Sequence, residues 1–165
     1  MLVLRDIVIR VSESPPDTLT LEFERRRLSR QRVVLDSGEE AALLLPRGAV
    51  LAAGSVLCGD GGRLVLVRAA KERLSRVRSD DLLLLTRVAY HLGNRHVPLE
   101  IRQGVVSYAH DHVLDDLVRH LGLEPEYDAA PFEPEPGAYA ETTHHAPDPA
   151  TSDLPSGGHH HSHGR

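Results

Sequence analysis

Two short strings carry the side chains with most chemistry to offer: GNRH at Gly93–His96 and HDH at His110–His112. Imidazole nitrogens suit zinc, copper, iron and nickel, whereas magnesium and calcium take oxygen ligands. The acids here stand beside the histidines and form no oxygen cage of their own. The pattern therefore points to a histidine-led site for a soft or borderline divalent metal. His96 sits between a helix stop at Gly93 and Pro98, on a loop short enough to project its ring outward with little entropy left to lose. A ligand shared with a second molecule needs that. His91 lies five positions earlier, cannot be assumed to face the same way, and reads more simply as a cation at the negative end of a helix dipole. His110 and His112 flank Asp111, forming either one chelating pair at the mouth of a helix or two solvated loop histidines, and spacing leaves both readings open. Asp111 and Asp115 would offset the repulsion that a cation meets at the positive end of that helix.

The elements that must position these residues follow from periodicity. Leu85, Val88, Ala89 and Leu92 recur at i, i+3, i+4 and i+7, with Ser79 and Asp80 available as caps and Gly93 as a left-handed stop. Val105, Val106 and Tyr108 predict a strand end. Val113, Leu114, Leu117, Val118 and Leu121 predict a second helix, capped by Asp111 and ended by Gly122. KERLSRVRS before the first helix alternates Leu74 and Val77 with polar neighbours, PLEI and a turn at Gln103–Gly104 follow that helix, and an extended piece spans Glu124–Phe132. That order, βαββαβ over residues 71–138, is the ferredoxin-like split arrangement. Two helices on one face leave the other sheet face to be covered, by dimerisation or by the first domain.

Residues 1–70 divide into short apolar runs separated by SPPD, DSGEE, PRG, AAG and GDGG turns, the pattern of a small all-β sandwich or open barrel. The expected class is α+β with two domains. Within the first, Glu24–Arg32 (ERRRLSRQR) reads as a solvated strand edge that discourages aggregation, with docking of an acidic partner as the minority reading. The lone Cys58 excludes an internal disulfide and reads as a small buried hydrophobe.

A net charge of −5 and only 4% aromatic residues argue against nucleic-acid binding, which calls for a basic face and stacking rings. No stretch approaches the ~18 apolar residues of a membrane span, and the N-terminus lacks a signal-peptide pattern. The expected location is the cytoplasm. Residues 139–165 have almost nothing to bury and should form a disordered tail. His144, His145, His159, His160, His161 and His163 fall there, where a histidine tract would bind divalent metals loosely and reach far.

The strings YHLGNRH, PLEI, DHVLDDLVRHLG and FEPEPGAYA, in that order and followed by a histidine-rich end, resemble the UreE family of urease accessory proteins, which are nickel metallochaperones. The resemblance runs from about Asp80 to about Ala140; before about Lys71 only a generic small β domain is legible. It implies a homodimer joined through the second domains, with His96 binding one Ni(2+) between two subunits as cargo. It also implies secondary binding at His110 and His112, capture by the tail, and delivery to urease apoprotein with its other accessory proteins. Copper or zinc would compete for the same donors, copper more strongly than nickel. Free histidine titrates near about 6.5 and a metal needs the neutral ring, so binding should weaken on acidification.

Two other classes fit parts of the pattern. A zinc-dependent hydrolase would assemble His96, His110 and His112 with Asp111, although HExxH is absent and no nucleophile arrangement accompanies them. A metal-responsive interaction module would centre on the β domain. A chaperone binds nickel stoichiometrically and turns nothing over, an enzyme hydrolyses test esters, and an interaction module ignores metal.

Overall fold

Alternating apolar residues build the first sheet. The computed structural model describes residues 1–8, 15 and 17–136. Strands β1 (Leu2–Val8), β2 (Asp17–Leu21), β3 (Arg30–Val34), β4 (Glu40–Leu44), β5 (Val56–Gly59) and β6 (Leu64–Ala69) form one sheet in the order β2-β6-β5-β1-β4-β3. β1 runs parallel to β4 and β2 to β6, and the other pairs are antiparallel. Pairs two apart in sequence, Leu2 with Leu4, Leu19 with Leu21 and Val65 with Val67, enter a single core, as the period of a half-buried strand requires.

The arginine-rich run departs from the expected strand edge. Phe23–Arg26 forms a helical turn, α1, and only Arg30 onward is strand. Arg25 donates to the carbonyl of Arg32 on β3 (2.8 Å), so the run does cover part of that edge. Arg26 turns inward and is 1% exposed; its terminal nitrogens meet partners brought from elsewhere in the chain, while Nε has no partner among the described residues. The guanidinium donates to the carbonyls of Leu51 (3.0 Å) and Phe132 and pairs with Glu133 (2.5 Å). Phe23 packs edge-on against Phe132 with ring centroids 5.6 Å apart, and its N–H donates to the Glu72 carboxylate at 2.6 Å. Burial at this junction raises the Glu72 pKa despite that hydrogen bond.

The second sheet joins β7 (Lys71–Arg78), β8 (Glu100–Arg102), β9 (Val105–Ala109) and β10 (Glu126–Pro131) in the order β10-β7-β9-β8, all antiparallel. Helix α2 (Leu82–Gly93) connects β7 to β8 and α3 (His112–His120) connects β9 to β10. Val77, Leu85, Val88, Leu92, Val106 and Val118 share one core, so both helices pack their apolar stripes with strand residues. The class is mixed strand and helix, with strands predominating. Among the described residues no helix is long and apolar enough to cross a membrane.

Two details of α2 differ from expectation. Asp81, not Ser79 or Asp80, caps it, accepting from the N–H groups of Leu83 (3.0 Å) and Leu84 (3.1 Å); Ser79 Oγ accepts from the Asp81 N–H instead. Gly93 is the last helical residue and does not take the left-handed conformation, which falls on His96 with φ 59°. Asp111 caps α3 as expected, and Gly122 follows it at φ 93°.

Candidate metal site

His96 occupies a position that helices usually give to glycine. Beyond Gly93 the chain continues turning: Arg95 N–H donates to Leu92 O (3.0 Å), His96 N–H to Gly93 O (2.8 Å) and Val97 N–H to Leu92 O (3.4 Å). The last two are the paired bonds of a Schellman ending, in which the residue one before the final donor is left-handed. Val97 packs into the core beside Leu92, the apolar contact that accompanies such endings. For an L residue this conformation costs roughly 1–2 kcal/mol, and the core contact and hydrogen bonds hold it in place. The result is an exposed imidazole on a stiff corner.

His91 lies in the last turn of α2, half-buried, with its ring edge-on to Tyr90 at 5.3 Å between centroids. His112 is exposed as the first residue of α3. His110 is half-buried at the junction of β9 and α3, so the two members of HDH differ in environment. His144, His145, His159, His160, His161 and His163 lie outside the described residues. Among the described residues, no three His, Cys, Asp or Glu side chains converge to hold one ion. Cys58, half-buried in β5, has no such partners among the described residues.

One group of polar residues does converge, and sequence reasoning missed most of it. Ser75 on β7 pairs across the sheet with Tyr108 on β9 and with Tyr127 on β10, which lines up three hydroxyl-bearing residues. Asp115 descends onto them from α3 and is 1% exposed. Tyr108 Oη donates to its Oδ1 at 2.8 Å, and His110 Nδ1 lies 3.2 Å from its Oδ2 and 3.1 Å from Ser75 Oγ. The His110 ring stands edge-on to Tyr127 with centroids 5.0 Å apart. Burial by itself would raise the Asp115 pKa, but hydrogen bonds from Ser75, Tyr108 and Tyr127 and the nearby His110 outweigh it and leave the carboxyl below its ordinary value. The same burial, with Asp115 alongside, raises the Tyr108 pKa. Asp115 was expected only as a charge near the helix mouth. A carboxylate three residues before the buried Val118 shares the inward stripe of α3, and that spacing was the available signal.

Two family models together match nearly the whole chain. The family model described as UreE urease accessory protein, C-terminal domain, matches residues 72–165, and that for the N-terminal domain matches residues 4–70. The match thus reaches the first half, where the strings alone showed only a generic β domain. The chain is 56% identical over 127 residues to the urease accessory protein UreE of Alkalilimnicola ehrlichii, covering 76% of this chain and 78% of that protein. It is 52% identical to the UreE of Proteus mirabilis over 128 residues, covering 78% and 80%. The UreE of Pseudomonas putida strain W619 is also 52% identical, over 134 residues, 81% of this chain and 83% of that protein.

Proposed function

Because this chain belongs to the UreE family of urease accessory proteins, we propose that it is a cytoplasmic nickel metallochaperone. It binds Ni(2+) as a homodimer and hands the ion over during assembly of the urease metallocentre. The observation that carries this reading is the exposed, left-handed His96. A single imidazole on a rigid corner makes a poor site alone and half of a good one, and a second copy of the chain supplies the other half across a twofold axis.

We read the βαββαβ order of the second half as a ferredoxin-like domain that also carries the dimer interface. Large apolar side chains left exposed there, among them Tyr90, Ile101, Val113 and Tyr127, favour a covered surface in the working assembly. Two imidazoles leave open coordination positions that tail histidines, water or the receiving protein can fill. An acceptor that adds ligands before the donor releases can therefore take the ion. Copper or zinc would occupy the same nitrogens, so nickel loading depends on supply and on the docked recipient.

Calorimetric titration of the purified chain with nickel, alongside its mass in solution, tests this directly. One tight ion per dimer is the expected result, and a monomer, or tight binding of one ion per chain, would refute it. Two further outcomes are expected. Deletion of the residues after Ala140 should lower the number of ions bound and leave the dimer intact; sedimentation of the truncated chain as a monomer would move the interface elsewhere. The double change His110→Ala, His112→Ala should remove only weaker binding in equilibrium dialysis, with the tight ion retained.

A further inference from the structure

The geometry points to Asp115 as a positioning residue that holds His110 in one tautomer, with the proton on Nδ1 and the lone pair on Nε2, the nitrogen left to meet a metal ion. Oδ2 of Asp115 lies 3.2 Å from Nδ1 of His110. As a carboxylate Asp115 is an acceptor only, and Tyr108 Oη already donates to its other oxygen. A bare Nδ1 would set two acceptors against each other at that distance within a nearly closed site, so the proton belongs on Nδ1. Ser75 Oγ, 3.1 Å from the same nitrogen, is free to direct its hydroxyl proton at the carboxylate.

The other side of the carboxylate is held as firmly, with Tyr108 Oη donating to Oδ1 at 2.8 Å. Tyr127 confines the ring from its edge. The imidazole therefore has one face of its hydrogen bonding settled by the core, while 21% of its side chain remains exposed. A carboxylate behind a ligating histidine fixes ring orientation and raises ligand basicity, and loss of such a partner costs about 10–100-fold in affinity. His112, exposed and without this backing among the described residues, would be the looser member of the pair. The role in metal binding rests on the reading of His110 as a ligand; the tautomer does not.

The test uses the full 165-residue chain, labelled with nitrogen-15, and zinc as a diamagnetic probe. Long-range proton–nitrogen correlation at neutral pH should show His110 with a protonated Nδ1 and a bare Nε2, and zinc should shift Nε2. Asp115→Asn should yield mixed tautomers at His110 and weaken zinc at this site by about 10-fold or more, with the His96 signals unchanged. A bare Nδ1 in the unaltered protein overturns the proposal, and that measurement stands even where the variant fails to fold. A folded Asp115→Asn protein with the original tautomer and affinity also overturns it. The stated tautomer with no zinc-induced shift at His110 upholds the positioning and refutes the ligand reading instead.

Discussion

His96→Gly is expected to make the chain more stable and to cost it its tightest ion. His96 holds φ 59° at the end of α2, where an L residue is strained by roughly 1–2 kcal/mol and glycine is not. The greater freedom of glycine in the unfolded chain offsets about 0.5–1 kcal/mol of that relief, which leaves a gain of up to about 1.5 kcal/mol in urea unfolding. Nickel affinity should fall by more than about 100-fold, since both nitrogens of a paired site vanish together and even outer-shell partners are worth roughly 10–100-fold. His96→Asn separates the two effects: asparagine tolerates the left-handed region but brings no imidazole, so stability should change little while binding is lost. Retention of one tight ion per dimer in either variant would refute the assignment of His96.

Arg26→Ala should be the most damaging single change in the first half of the chain. The guanidinium is 1% exposed and satisfies the Leu51 and Phe132 carbonyls as well as the Glu133 carboxylate. Removing it leaves the two carbonyls without this donor and opens a void beside the Phe23 ring, while Glu133 still accepts from the Ala53 N–H. Each buried carbonyl left unpaired costs about 1–3 kcal/mol. Arg26→Lys should recover only part of this, because an ammonium cannot span three acceptors with a planar fork. Arg30→Ala, an exposed neighbour in the same run, should stay within about 0.5 kcal/mol. Near-equal unfolding midpoints for the Arg26 and Arg30 variants would show that the buried cluster contributes little.

Much of the second half of the chain was legible in its sequence. The stripe Leu85, Val88, Leu92 and the cap Asp111 located α2 and α3 correctly, and Leu74 and Val77 marked β7. Gly93 misled, because a glycine after an apolar stripe is the ordinary left-handed stop, while here the chain turns for three more residues and places that conformation on His96. Nothing local distinguishes the two endings. The deciding contact is Val97 joining Leu92 in the core, and it exists only once the sheet is in place beneath them.

Arg26 and Asp115 show the same division more sharply. Each stands among exposed charges of its own type, Arg25 and Arg27 in one case and Asp111 and Asp116 in the other. Periodicity, turns and helix caps are encoded within a handful of neighbouring residues, since they depend on backbone geometry that each residue carries with it. Whether a charge may go inside depends on donors and acceptors brought from elsewhere: Phe132 and Glu133, over a hundred positions beyond Arg26, and Ser75, Tyr108 and His110, gathered under Asp115 by strand register. Desolvating a charge is unfavourable until those partners are assembled, so helical spacing could place Asp115 on the inward stripe of α3, but only the tertiary structure makes it, and Arg26, the charges that are buried.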